Sequence, residues 1–141
     1  MEITIDIDIE ASLNDVWHVW TTPEEITHWN FASDEWCCPT AKIHLVEGGK
    51  FNYRMEAKDG SMGFDFEGQF TKIELCKSIH YKMDDDRHVK VEFRNIAKGT
   101  KVVETFEAES EHSAEQQRQG WLCILANFKQ RVESKGEEKS A

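Results

Sequence analysis

The chain has no apolar run that approaches the ~20 residues of a membrane helix, and no basic segment followed by an apolar stretch. The first absence excludes a helical membrane span. The second argues against a secretory signal, so the expected location is the cytoplasm. A basic surplus is missing as well: Asp and Glu number 27 against 17 Lys and Arg, a net charge of −10. Such a surface repels the phosphates of nucleic acid and of anionic membranes, so neither is an expected partner. The four cysteines, Cys37, Cys38, Cys76 and Cys123, form no CxxC pair, and none has a His at ligand spacing. They read as free thiols in a reducing compartment, and no metal or other cofactor is implied. There are no internal repeats and no linker. The 141 residues therefore read as one domain spanning 1–135 with a frayed tail at 136–141. A chain of this length buries roughly 70% of its unfolded surface, enough for one core without metals or disulfides.

What is present is alternation. Over residues 2–10, Ile3, Ile5, Ile7 and Ile9 alternate with Glu2, Thr4, Asp6, Asp8 and Glu10. This predicts a strand with one dry face and one wet face. Ser12 caps a short helix that places Leu13, Val16, Trp17 and Trp20 on one side. A second helix follows from Thr22-Pro23-Glu24-Glu25, with Thr22 as cap, Pro23 first and Glu25 closing a capping box. Ile26 and Trp29 form its buried side. Residues 30–39 have no period and read as a loop across the mouth of the sheet, with Phe31 and Trp36 turned inward or serving as a lid.

Six strands are predicted next, over 41–46, 50–57, 63–75, 78–83, around Val89, Val91 and Phe93, and over 100–109. Gly48-Gly49, Asp59-Gly60, the charged run Asp84-Asp85-Asp86-Arg87 and Lys98-Gly99 supply turns. Phe64, Phe66 and Phe70 share one parity while Ile73 and Leu75 share the other, so a bulge is expected near Thr71-Lys72. Ser113 and Gln116 form a second capping box, opening a helix to about residue 134. Ala114, Gln117, Trp121, Leu125, Phe128 and Val132 line one face of it, with Ile124 beside them. Short connections favour antiparallel pairing. The predicted class is α+β: a seven-stranded curved antiparallel sheet gripping a long C-terminal helix, with two short helices after the first strand.

Several stretches resemble one superfamily in their order along the chain. They are Val16-Trp17 with Thr22-Pro23-Glu24 and Trp29, then Gly48-Gly49-Lys50-Phe51, then Gly68 with Ile73-Glu74, then Gly99-Thr100, then Gly120-Trp121 with Leu125. Together they resemble the START-like, helix-grip superfamily, and within it the family named after the activator of Hsp90 ATPase. The resemblance implies a pocket between sheet and helix, but no particular activity, because this scaffold hosts carriers, enzymes and co-chaperones. The eukaryotic activators that named the family carry an additional N-terminal domain for which this chain has no room. Hsp90 activation is therefore not inferred.

The expected pocket would be lined by Trp29, Trp36, Phe51, Tyr53, Phe66, Phe70, Tyr81, Phe93, Trp121 and Phe128, with Glu104 and Gln117 as polar groups. Glu104 shares a parity with Val102 and Phe106, where similar proteins often carry an aliphatic residue. If those two face inward, so does the carboxyl, as acid, base or ligand anchor. Arg54, Gln69 and Arg118 are further polar candidates, and His28 sits near the mouth. Asp84-Asp85-Asp86 lacks the spacing of a calcium loop. No nucleophile, base and orienting group stand in recognisable triad spacing. The leading expectation is a carrier or sensor for a small hydrophobic or amphipathic molecule. A cyclase- or hydrolase-like enzyme using the same cavity, and a co-chaperone-type interaction module, remain as alternatives. A homodimer is compatible with the sequence but has no support in it.

Overall fold

The computed structural model describes residues 1–140, with side chains as far as Gly136. The chain runs β1 (Glu2–Ile9), α1 (Leu13–Thr21), α2 (Pro23–Ile26), β2 (Trp36–Ile43), β3 (Lys50–Ala57), β4 (Gly63–Glu74), β5 (Ser78–Met83), β6 (His88–Ile96), β7 (Gly99–Glu107) and α3 (Ala114–Ser140). The strands form one seven-stranded antiparallel sheet in the order β1-β7-β6-β5-β4-β3-β2. From β2 to β7 each strand pairs with its successor, as hairpin connections dictate. β1 lies beside β7, so α1, α2 and the segment after them carry the chain from one sheet edge to the other.

Sequence alternation sets which face is dry. Ile3, Ile5 and Ile9 are buried on β1, and so are Val102, Glu104 and Phe106 on β7. The register puts Ile3 opposite Phe106, Ile5 opposite Glu104 and Ile7 opposite Val102. A one-residue slip would turn all of these to water. The expected bulge in β4 is present: the register with β5 shifts between Phe70 and Lys72.

The largest differences from the sequence expectation fall in three elements. β2 begins at Trp36, inside the predicted loop, and ends at Ile43. Its register with β3 breaks between Cys37 and Thr40. That irregularity destroys the period-two signal, and it houses Pro39, which an edge strand tolerates. The last strand ends at Glu107, where side-chain bonds from Gln117 take over the backbone of Glu109. α3 continues to Ser140, past the expected end near 134. Of the frayed tail expected at 136–141, Ala141 and the side chains of 137–140 lie outside the described residues.

The helix caps divide. Ser12 Oγ accepts the Asp15 amide at 3.2 Å. Ser113 and Gln116 form the reciprocal box, Ser113 Oγ accepting the Gln116 amide at 3.1 Å and Gln116 Oε1 accepting the Ser113 amide at 3.2 Å. The box expected at Thr22 and Glu25 does not form. Thr22 bonds His18 Nδ1 at 3.2 Å, and the Glu25 carboxylate turns to α3, accepting from Arg131 Nε at 2.8 Å and Lys135 Nζ at 2.5 Å. An ion-paired site with two cations outcompetes one amide bond.

α3 approaches the backbone of β1 and α1 most closely. Leu125, Phe128 and Val132 fill that side of the core completely. The inner faces of β3, β4 and β5 lie farther from the helix, so only large side chains reach across. This asymmetry positions the site.

Candidate functional site: an aromatic cavity with a buried acid

A cavity of about 270 Å³ lies between α3 and the inner face of the sheet. It falls just below the roughly 300–1,000 Å³ typical of ligand pockets. Its wall is mostly aromatic. Phe51 and Tyr53 from β3, Phe66 and Phe70 from β4, and Tyr81 from β5 form one continuous group, with Phe51 touching the other four at ring-centroid distances of 4.8–5.7 Å. Trp121, Ile124 and Leu125 close the helix side, and Trp20, Trp29 and Asn30 close one end. Gly68 matters here because it faces Phe51: a Cβ on it would lie 2.7 Å from that ring. Only glycine lets the ring lie flat over β4.

Trp29, Phe51, Tyr53, Phe66, Phe70, Tyr81, Glu104 and Trp121, named from the sequence, all line this one cavity. Trp36, Phe93, Gln117 and Phe128 do not. Trp36 packs edge-on against Phe64, 5.8 Å between centroids, at the outer end of the β3–β4 hairpin. Phe93 points toward α1, against Trp17 at 5.3 Å and Trp20 at 5.8 Å. Phe128 is wedged between Trp20 and Trp29, at 4.8 and 4.9 Å. These two are solid core. Gln117 is buried but serves the β7–α3 turn: it accepts from the Glu109 amide at 2.9 Å and donates to the carbonyls of Glu109 and His112 at 3.1 and 2.8 Å.

Of the other polar candidates, Arg54 pairs with Glu56 and Asp65 on the outer face. Gln69 donates to the Gly48 carbonyl and Arg118 to that of Thr4. His28 is exposed and its Nδ1 lies 2.8 Å from the Glu24 carbonyl. Asp85 is bound to Arg87 at 2.7 Å, as a hairpin turn would have it. Glu109, Glu111 and His112 bring ligand atoms within 4.8 Å of one another, but His112 Nδ1 lies 3.1 Å from both Glu109 oxygens as part of the turn before α3.

Sequence reading missed several wall residues. Met55, Ile79, Met83 and Leu125 sit on the predicted inner parity, so the signal existed. Arg87 had none. It lies in the charged β5–β6 turn, yet it reaches the cavity wall, held by Asp85 and by the Glu107 carbonyl at 3.3 Å.

Glu104 is the distinctive group. It is 5% exposed and faces inward between Ile5 of β1 and Val91 of β6. Burial pushes its carboxyl up to about 8, with no hydrogen bond or opposite charge to bring it back. Near neutral pH it is therefore mostly the uncharged acid. Tyr81 and Tyr53 share the cavity and are raised chiefly by burial, with the Glu104 charge adding to Tyr81 and Cys38 adding to Tyr53. Neither phenol has a hydrogen-bond partner among the described residues. Among the described residues no buried side-chain oxygen or nitrogen is both sealed off and unpartnered, so these groups look onto the cavity and not into packed protein.

A curved antiparallel sheet, a long C-terminal helix laid across it and a cavity between them define a helix-grip domain of the START-like kind. The chain belongs to the family described as activator of Hsp90 ATPase homolog 1-like proteins, whose sequence profile matches residues 10–133. The solution structure of an AHSA1-like protein from Aeromonas hydrophila is 46% identical over 96% of this chain and 94% of that one, with a TM-score of 0.92. A protein from Cytophaga hutchinsonii is 38% identical over the same shares, with a TM-score of 0.82. A Nitrosomonas europaea protein at 16% identity, covering 100% of this chain and 97% of its own, has a TM-score of 0.82 and shares the fold. A search of curated proteins gave no significant match.

Proposed function

We propose that this protein binds one small, largely apolar molecule in the cavity between α3 and β3–β5, as a carrier or sensor acting in the cytoplasm. One observation carries this reading: three buried polar side chains, Glu104, Tyr53 and Tyr81, face a 270 Å³ aromatic cavity without protein partners. A ligand with an oxygen acceptor can meet those groups directly. The aromatic wall supplies apolar contact at roughly 25 cal/mol per Å² removed from water. No helix among the described residues is long and apolar enough to cross a membrane. The family's name refers to Hsp90 ATPase activation, and no feature of the cavity bears on that activity.

The test is a titration with small aromatic probes, read by quenching of tryptophan emission, since Trp20, Trp29 and Trp121 all line the cavity. Saturable uptake at one site supports the reading. No uptake of any probe at its solubility limit contradicts it.

A second reading, general acid catalysis, is favoured by one observation. Glu104 is held protonated near neutral pH beside Tyr81, so the cavity contains an ionisable pair able to donate a proton. The wall offers no Ser, Cys or His as a nucleophile among the described residues. Conversion of a bound molecule that stops in Glu104→Gln, with binding retained, would favour catalysis over carriage.

A further inference from the structure

We propose that the ligand is an uncharged molecule bearing carbonyl or hydroxyl oxygen, and that Glu104 as a carboxylic acid donates a hydrogen bond to such an oxygen, with Tyr81 and Tyr53 as further donors along the same wall. The inference rests on the binding reading above and names the chemistry the cavity selects.

The groups facing the cavity decide the class. Glu104 comes from β7, Tyr81 from β5 and Tyr53 from β3, and each brings an O–H where no protein acceptor waits. The one full charge on the wall is the Arg87 guanidinium, from the β5–β6 turn. A cationic ligand would meet that like charge. It would also have to ionise Glu104 in a site where burial opposes the anion. An anionic ligand could also accept from these hydroxyls, but it would carry a full charge into the cavity, where the Arg87 guanidinium already serves Asp85 and the Glu107 carbonyl. A neutral oxygen acceptor satisfies the donors with no charge moved into the cavity, the cheaper arrangement in a low-dielectric site.

The same groups set a pH dependence. Facing Glu104 are Ile5 of β1 and Val91 of β6 across the sheet, and Trp121, Ile124 and Leu125 from α3. None of these carries charge. Trp20 of α1 and Trp29 and Asn30 after α2 are likewise uncharged. The two tyrosines are displaced upward, away from neutrality. Glu104 is thus the group that titrates first as pH rises. Once ionised it no longer donates, and it repels an oxygen lone pair.

Three matched probes test this on the full chain: naphthalene, acetylnaphthalene and naphthylmethyltrimethylammonium, whose charge is permanent, titrated at about pH 6 and at about pH 9.5, either side of the Glu104 transition. At the lower pH acetylnaphthalene should bind at least about tenfold more tightly than naphthalene, the worth of one good hydrogen bond. That ratio should shrink by on the order of tenfold at the higher pH, because only the protonated acid donates. Glu104→Gln keeps an N–H donor, so the preference should persist and lose its pH dependence. Glu104→Leu should still take up naphthalene with the preference gone. Equal binding of naphthalene and acetylnaphthalene by the wild type at about pH 6 would overturn the inference while leaving the pocket itself intact. Preference for the quaternary ammonium probe, tightening as pH rises, would overturn it in favour of a cationic ligand. Failure of all three probes would instead remove the binding reading beneath it. Should the Leu variant not fold, the wild-type pH series and the Gln variant decide the matter.

Discussion

Phe106 of β7 and Trp121 of α3 stack face to face, their ring centroids 4.0 Å apart and their planes 7° from parallel. Glu104 is the preceding inward residue on the same strand. The stack therefore fixes the helix over the sheet next to the acid, and Trp121 forms cavity wall and clamp at once. Trp121 is half-buried, so truncation should cost less than the 3–5 kcal/mol of a fully buried tryptophan. We expect Trp121→Ala to lose about 2–3 kcal/mol in urea denaturation and to weaken probe uptake by an order of magnitude or more. Wild-type affinity in that variant would mean the helix does not form the wall.

Glu104 links the cavity to stability. Its carboxyl rises from an ordinary 4.5 to about 8 through burial. The folded protein then holds a proton that the unfolded chain has released, so stability falls as pH climbs through that window and levels off above it. At 1.36 kcal/mol per pH unit, the loss between 4.5 and about 8 amounts to roughly 4–5 kcal/mol. Glu104→Gln removes the titration. Urea midpoints measured against pH should diverge, the wild type dropping above about pH 5 while the variant stays level. Parallel curves would show that the carboxyl finds solvent or a partner.

The Glu25, Arg131 and Lys135 cluster makes the opposite prediction. Burial alone would raise the Glu25 carboxyl, but its bonds to Lys135 and Arg131 outweigh that and hold it below its usual value. A lowered acid stabilises the fold above its unfolded value and stops doing so as pH falls through the folded one. Glu25→Ala should cost about 1–3 kcal/mol at neutral pH, less than a sealed pair would, because Arg131 and Lys135 are 24% and 26% exposed and can turn to water. The variant should also lose the acid-side part of the stability profile. An unchanged profile would rule the cluster out as the tie between α2 and α3.

Gln117 separates fold from site. Its amide satisfies three backbone groups of the β7–α3 turn. Gln117→Leu should cost about 1–3 kcal/mol and leave probe affinity unchanged. A variant of normal stability that binds tenfold more weakly would put Gln117 back in the cavity.

Much of the fold was legible because burial leaves a period in sequence. The isoleucines of β1 and the parity of Val102, Glu104 and Phe106 gave the strand faces; that parity made Glu104 a candidate for the inner face, and an unbulged register with β1 puts it there. Where the period breaks, sequence reading fails. The shift between Cys37 and Thr40 hid the first half of β2. Long-range partners were equally hidden. Glu25 sits at a capping-box position yet bonds residues more than a hundred positions away, and Arg87 reaches the cavity from a turn that reads as wholly solvated. Among the aromatics, parity marked the inner face, but it did not separate Phe93 and Phe128, which fill core, from Phe51 and Phe66, which bound a cavity. That difference depends on where α3 lies across the sheet.

The most direct test of the central claim is a heteronuclear NMR titration with acetylnaphthalene, following the methyl signals of Met55, Ile79, Met83, Ile124 and Leu125. These side chains all line the cavity. The account predicts saturable shifts concentrated on them, with little change at exposed Met62 or Leu75. Shifts confined to the surface, or none at saturation, would contradict it.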